Sequence, residues 1–254
     1  VMNRREQWSV GEHPALDLRV PVGVVEVHVG DAGILQVELE SAAAADFEIS
    51  KTGDRVAVRH PSRWSMRGRS CRVVAVVPLG TDVNVETASA EVRLSGNLGT
   101  VRVRTASGDV DVDRSLRLDV TTASGEVTCN AVEGDATITT ISGDCSVTTV
   151  GGRLDASLTS GDLRVERCAG DLAVGSTSGS ARIGHCDGSE ISVRSISGDV
   201  RIGLPSGIRV EADISTVSGR ASLPEPAPAT TTDRRPVRLR LKTVSGGIRV
   251  ERTS

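Results

Sequence analysis

The motif that decides the fold of this 254-residue chain reads TASGDV at residues 105–110, TASGEV at residues 122–127 and TISGDC at residues 140–145. Its Ser-Gly pair recurs along the sequence from residue 107 onward, at Ser107, Ser124, Ser142, Ser160, Ser178, Ser197, Ser218 and Ser245, with Ser89-Ala90 as a degenerate first copy. Up to Ser197 the copies are 17 to 19 residues apart, and the last two gaps are 21 and 27 residues. A period this regular is typical of a protein built from stacked repeats.

Apolar and polar residues alternate on both sides of each Ser-Gly pair, as at Leu118 and Val120 before one pair and Val127 and Cys129 after it. Such alternation is typical of a β-strand with one buried face. A second glycine stands midway between most pairs, at Gly99, Gly134, Gly152, Gly170 and Gly188. Glycine favours a sharp corner, and the Ser and Asp beside it can hydrogen-bond corner amides.

Each repeat therefore predicts two short strands joined by two corners. Stacked repeats pair each strand in parallel with its counterpart one repeat later, about 4.8 Å away. The predicted fold class is all-β, a right-handed, single-stranded parallel β-solenoid over residues 81–254, with a Pro- and Thr-rich loop inserted at 224–236. Residues 1–80 are strand-like without the repeat, and we expect an irregular β-rich cap there.

The composition limits the classes of function. One Phe, two Trp and no Tyr indicate a thin core of Val, Leu, Ile and Ala, and a net charge of −3 gives no reason to expect a nucleic acid partner. No apolar run is long enough to span a membrane, and the first residues do not resemble a secretory signal, so we expect a cytoplasmic protein. Five cysteines without C-x-x-C spacing indicate neither a disulfide framework nor a zinc site, and no cofactor is expected.

An acidic column is the most regular charged feature, with one carboxylate per repeat at Glu91, Asp109, Glu126, Asp144 and Asp162. Like charges about 4.8 Å apart repel, so the side chains either spread into water or hold cations. The glycine-rich spacing of calcium-binding β-rolls is absent, which favours a solvated ridge over a calcium site. A shorter column of Arg164, Arg182 and Arg201 is expected to pair with the acidic one.

The segment RHPSRWSMRGRSCR at residues 59–72 supplies the candidate interaction patch: Arg59, Arg63, Trp64, Met66, Arg67, Arg69 and Arg72. Arginines beside an exposed Trp can bind a phosphate, a lipid headgroup or a partner protein. The alternative is that Trp64 packs over the end of the solenoid while the arginines face water.

The repeats and the lead-in VVPLGTDVNVETASAEV (76–92) resemble a bacterial family of β-strand repeats known as the "putative adhesin" domain, whose function is unknown. The resemblance runs from about Val83 to Val250. It implies a parallel β-solenoid and supplies no catalytic residues. Relatives linked to the cell envelope and its stress responses imply adhesion-like roles.

These observations predict a non-catalytic cytoplasmic scaffold that binds a protein partner. The four histidines lie in unrelated contexts, and neither a nucleophile elbow nor an H-E-x-x-H motif is present. A self-assembling structural protein, similar to bactofilin polymers, is the alternative. A calcium-binding roll or a carbohydrate-active solenoid enzyme is disfavoured, because the carboxylates recur in successive repeats instead of forming one unique site.

Overall fold

The computed structural model describes residues 2–61, 70–224 and 236–253. Among them there are 21 strands and one 3-10 turn, Ala44–Asp46, and no α-helix. None of the described segments is a helix with the length and hydropathy needed to cross a bilayer. The chain divides into two compact units, Val1–Asn130 and Ala131–Ser254. The predicted all-β solenoid is confirmed, and the predicted division at residue 80 stays a prediction.

The strands of the first unit are β1 (Met2–Ser9), β2 (Ala15–Val29), β3 (Ile34–Ser41), β4 (Glu48–Thr52), β5 (Arg55–Arg59), β6 (Cys71–Val77), β7 (Asp82–Ser107) and β8 (Val110–Ser124). Strand β9 (Val127–Val132) crosses the boundary between the units. The strands of the second unit are β10 (Ala136–Ser142), β11 (Cys145–Val150), β12 (Leu154–Ser160), β13 (Leu163–Cys168), β14 (Leu172–Ser178), β15 (Ala181–Cys186), β16 (Glu190–Ser197), β17 (Val200–Pro205), β18 (Val210–Ser218), β19 (Ala221–Ser222), β20 (Val237–Ser245) and β21 (Ile248–Thr253).

Strand β2 organises the first unit. It pairs in parallel with β5 and then with β6 along one edge, and with β7 along the other. Strand β7 in turn pairs in parallel with β8. Three antiparallel pairings, β1 with β3, β3 with β6 and β4 with β5, complete the sheet. Antiparallel strands thus accompany the first coils of the solenoid, as expected for a capped end.

In the second unit each coil has two strands, and the two strand sets stack separately. The first set contains β10, β12, β14, β16, β20 and β18, and the second contains β11, β13, β15, β17, β21 and β19. Side chains in register form continuous core columns; Leu154, Leu172 and Ile191 are adjacent in one of them, each at most 1% exposed. This one-residue-per-coil stacking explains why a core without bulky aromatic rings suffices.

The last coils do not stack in chain order. Strand β20 lies between β16 and β18, and β21 lies between β17 and β19. The expectation that every strand pairs with its counterpart one repeat later is therefore wrong for β18, which lies at the end of the stack. The C-terminal coil occupies the position before it.

The side chains of the two strands explain this order. Strand β20 carries Leu239 and Leu241, which are completely buried between neighbours on both sides. At the same register positions β18 carries the exposed Ala212 and the partly exposed Ile214, and its outward residues include the exposed Glu211 and Asp213. Charged residues on an edge strand oppose uncontrolled pairing with other chains, whereas an apolar strand is more stable with both edges covered.

Candidate interaction surfaces

The aspartates of the acidic column cap backbone amides along the stack, whereas Glu91 forms an ion pair with Arg93. The Oδ1 atom of Asp144 accepts a hydrogen bond from the amide of Asp162 at 2.8 Å, and that of Asp162 accepts one from the amide of Ser180 at 2.7 Å. The same contact joins Asp199 to the amide of Gly247 at 2.8 Å and, in the first unit, Asp109 to the amide of Glu126 at 2.9 Å. The predicted bonding of corner amides is confirmed. The weak or absent calcium binding stays a prediction.

Asp171 caps the second corner in the same manner. Its Oδ1 atom accepts hydrogen bonds from the amide of Glu190 at 2.9 Å, from the amide of Ser189 at 3.0 Å and from the Ser189 hydroxyl at 3.1 Å. These donors, the Glu190 amide first, hold the pKa of the Asp171 carboxyl below its ordinary value. The carboxylate form is therefore favoured by the folded protein.

We expect Asp171→Asn to lower the free energy of unfolding by about 1 kcal/mol at pH 7, because the neutral amide accepts weaker hydrogen bonds. A depressed folded-state pKa stabilises the fold above the unfolded-state pKa of about 3.9, and this contribution disappears as the pH falls through the folded-state pKa. The difference in free energy of unfolding between the variant and the wild type should therefore become smaller below about pH 4. Urea unfolding at several pH values measures it.

The control is Asp155→Asn, which changes an exposed carboxylate 3.7 Å from Arg153. An exposed ion pair contributes little, so this variant should stay within about 0.5 kcal/mol of wild type. Equal free energies of unfolding for the two variants at every pH would contradict a capping role for Asp171.

Two cysteines are neighbours in the core of the second unit. Cys168 and Cys186 pair in register between β13 and β15, and both are completely buried free thiols. The hydrogen bond to Cys168, together with burial, raises the pKa of the Cys186 thiol. The 18-residue offset of these two positions in the sequence thus predicts their contact correctly.

We expect mild oxidation to give a Cys168–Cys186 crosslink as the main intramolecular product. Adjacent parallel strands place the two Cα atoms about 4.8 Å apart, within the range that a disulfide spans. Peptide mapping after oxidation identifies the product, and Cys168→Ala should abolish it. A dominant bond between Cys129 and Cys145, or one to Cys71, would contradict the register.

The predicted interaction patch is only partly within the described residues. Arg63, Trp64, Met66, Arg67 and Arg69 lie outside them. Arg59 ends β5 and lies 3.6 Å from Asp17, and Arg72 contacts Glu26 at 2.7 Å. The hydrogen bond from Arg72 holds the pKa of the Glu26 carboxyl below its ordinary value. These two arginines are engaged in ion pairs of the first unit, and the patch as a binding site stays a prediction.

The arginine column is longer than predicted and is not paired with the acidic column. Arg164, Arg182, Arg201 and Arg249 follow one another in register on β13, β15, β17 and β21, all exposed. We call these four residues the arginine ladder. Within the described ranges, its first three members form no ion pair, and Arg249 lies 3.8 Å from Glu251. The expected pairing is wrong because the aspartates direct an oxygen along the stack toward amides.

Exposed aliphatic side chains lie beside the end of the stack. The residue before each Ser-Gly pair faces outward, and in three adjacent coils it is Ile196, Val244 and Val217, exposed by 54%, 49% and 83%. We call these three the aliphatic ladder. Among the described residues β18 pairs only with β20, and no described strand pairs with its other edge. This surface was not predicted from the sequence. The signal that could have indicated it is the apolar residue that directly precedes the Ser-Gly pair in these three repeats.

A shallow hollow of about 320 Å3 lies near Gly175 on the strand set of β14. Arg153, Asp155, Glu190 and Arg194 line it. Two positive and two negative side chains give the hollow no net charge for a charged ligand. Elsewhere in the described ranges, no three His, Cys, Asp or Glu side chains come together as a metal-binding group.

Coils of two strands, aspartate-capped corners and continuous core columns define a β-solenoid repeat protein. The family model of Toastrack DUF4097 matches residues 15–254, and the chain therefore belongs to this family. The predicted resemblance to the "putative adhesin" family of unknown function is thereby confirmed. No curated protein matches the chain.

Solved structures to which the chain is similar come from bacteria. A "putative adhesin" of Parabacteroides merdae ATCC 43184 is 11% identical over 99% of this chain and 96% of that one, with a TM-score of 0.42. One from Bacteroides fragilis NCTC 9343 is 11% identical over 98% and 97%, with a TM-score of 0.38. A "putative lipid binding protein" of Parabacteroides distasonis ATCC 8503 is 10% identical over 99% and 97%, with a TM-score of 0.31. These distant likenesses carry no argument about function.

Proposed function

We propose that this Toastrack protein is a non-catalytic protein-interaction module that takes up an extended segment of its partner at the free edge of β18. The observation that carries the proposal is the coincidence of an unpaired strand edge with the aliphatic ladder. Extended segments bind such edges by main-chain hydrogen bonds, and their alternate side chains give specificity. Adhesion-like roles of the family are compatible with this mode of binding.

The charges on β18 specify the partner segment. Its inner neighbour β20 reads VRLRLKTVS and places Arg238 beside Glu211 and Arg240 beside Asp213. A segment that alternates basic and aliphatic residues in the same manner would meet the same acidic side chains from the other edge. Opposite charges on adjacent strands stabilise their pairing.

The same charges disfavour a second copy of this chain as the occupant. Two β18 strands paired antiparallel about Ala212 would bring Glu211 of each copy opposite Asp213 of the other. Like charges directly opposite one another destabilise a pair of strands. Self-assembly through this edge is therefore the alternative that the experiment must exclude.

The test uses a labelled peptide with the β20 sequence VRLRLKTVS and a charge-reversed peptide VELELETVS. Fluorescence anisotropy should show binding of the basic peptide only. Val217→Thr should weaken that binding by about tenfold, because the peptide valine then loses its apolar neighbour. Threonine is suitable because Thr159 and Thr177 occupy the same outward position in other coils.

The matched control is Ile141→Thr, which changes an exposed aliphatic residue (56%) at this position in another coil. It should leave peptide affinity unchanged. Equal binding of both peptides, or an equal effect of both substitutions, would overturn the proposal. An apparent molecular mass from light scattering that rises with protein concentration, and no longer does so in Val217→Thr, would instead establish self-assembly.

A further inference from the structure

The arginine ladder is an unassigned, regularly spaced row of positive charge. Its four residues lie on four successive coils, so their Cα atoms are spaced by about one strand separation, 4.8 Å. Hydrogen-bonded strands hold this spacing, whereas ordinary surface arginines have no fixed distance from one another. Such a row is complementary to a linear polymer that carries one negative charge for each length of about one strand separation.

The acidic column does not neutralise the ladder. Toward the end of the stack it is interrupted, because Ser180, Gly247 and Arg220 stand where the other coils carry an acidic residue. The remaining neighbours, Asp162 and Asp199, each use an oxygen to accept a backbone amide hydrogen bond at 2.7 and 2.8 Å. Both carboxylates keep their charge, but within the described ranges neither forms an ion pair with Arg164, Arg182 or Arg201.

A hollow at the end of the ladder provides a second feature that points to a ligand. Its volume is about 200 Å3, and its charged lining residues are Arg201, Arg220, Arg249 and Asp199. Three arginines against one aspartate leave the hollow with a net positive charge. The ladder and the hollow are continuous through Arg201 and Arg249.

The chemistry of this surface favours carboxylates on an extended chain. Guanidinium binds a carboxylate through two parallel hydrogen bonds. A hexuronate polysaccharide carries one carboxylate per sugar, and one sugar is about as long as one strand separation. We propose that the arginine ladder binds an anionic, carboxylate-bearing polysaccharide along the stack, with the hollow receiving its last sugars.

A nucleic acid fits this surface less well. Proteins that bind single strands stack the bases on aromatic side chains, and strands β13, β15, β17 and β21 carry no Phe, Tyr or Trp. In a duplex the phosphates wind around the helix axis, so a straight row of arginines follows them only briefly. Nucleic acid is therefore a competing outcome of the test.

The experiment measures the binding of end-labelled oligogalacturonates with two, four and eight sugars to the full chain at low salt. We expect affinity to rise by about tenfold from two to four sugars and little from four to eight, since four arginines span about four sugars. Replacing the four ladder arginines with serine should reduce the affinity for the four-sugar probe by about tenfold or more. Serine is compatible with the column, because Ser146 and Ser222 occupy it in neighbouring coils.

The matched control removes four exposed cations from the other strand set: Arg194, Arg238, Arg240 and Lys242, each replaced with serine. Its affinity for the four-sugar probe should stay within about twofold of wild type. Arg182→Ser alone, which changes the fold least, should lower the salt dependence of binding by about one ion.

Three results would overturn the proposal. One is an equal loss of affinity for the four-sugar probe in the ladder variant and the control variant, which would indicate non-specific charge attraction. Another is affinity that does not depend on probe length. The third is tighter binding of a thymidine oligonucleotide or of polyphosphate with the same number of charges. The peptide experiment on β18 uses a different strand set, so its failure and this one are distinguishable.

Discussion

Gly179→Ala should lower the free energy of unfolding of the second unit by about 3 kcal/mol or more. Gly179 forms the Ser-Gly corner between β14 and β15 with φ = +125°, a region that L-residues rarely adopt. A Cβ atom there would lie 2.0 Å from the carbonyl oxygen of Gly161 and 2.7 Å from its carbonyl carbon. Backbone strain of about 1–3 kcal/mol adds to an overlap that only movement of the neighbouring coil relieves. Urea unfolding measures the loss.

The chain offers a matched control four residues earlier. Gly175 lies within β14, and a Cβ atom there would meet nothing within 4 Å. Gly175→Ala should therefore be neutral or stabilise the protein by up to about 1 kcal/mol, because alanine restricts the unfolded chain. Equal unfolding midpoints for the two variants would show that the corner does not have the geometry described above.

The Gly179 corner also explains why so much of the fold was predictable. A close approach of backbone to backbone at every coil requires glycine at a fixed offset, so the period of the structure is written directly in the sequence. The same offset predicts the contact of Cys168 with Cys186 and the column of Arg164, Arg182 and Arg201. Residues that repeat with the coil are placed correctly without any knowledge of tertiary contacts.

The order of the last strands could not be predicted from the sequence, because two strands with the same motif can occupy the same place in the stack. Strands β18 and β20 both carry the Thr-Val-Ser-Gly signature, so the motif cannot decide which of them is next to β16. The larger inward side chains of β20, Leu239 and Leu241 against Ala212 and Ile214 of β18, favour β20 for the position with both edges covered. Likewise the sequence suggests an ion pair between Asp162 and Arg164, which are two residues apart. In the structure Asp162 instead accepts a hydrogen bond from the backbone amide of Ser180 in the next coil.

Removal of residues 237–254 should unfold the end of the second unit. The deleted strands β20 and β21 contribute five core side chains, each at most 5% exposed: Val237, Leu239, Leu241, Ile248 and Val250. At about 1.5–3 kcal/mol for each buried side chain, the gross burial lost is about 7.5–15 kcal/mol, part of which is offset because the deleted residues no longer have to be ordered. The deletion also removes the strands that lie between β16 and β18 and between β17 and β19.

The deletion also removes what holds β18 in place. Arg252 donates hydrogen bonds at 3.0 Å to the carbonyl oxygens of Pro205 and Ile208, at the link between β17 and β18. Thr243 donates one at 3.0 Å to the Thr216 hydroxyl across the β18–β20 pair. Without these contacts the amides of Val210–Ser218 should lose protection from hydrogen exchange together with those of β16 and β17.

The control for this deletion is Val244→Thr in the full chain, which changes an outward side chain of β20 and should leave exchange in β18 unchanged. If the coils stacked in chain order, β18 would pair with β16 directly and would not depend on the last coil. Retained protection of Val210–Ser218 in the shortened chain would contradict the dependence of β18 on the last coil. Loss of protection confined to β18, β16 and β17 is the result that the observed strand order requires.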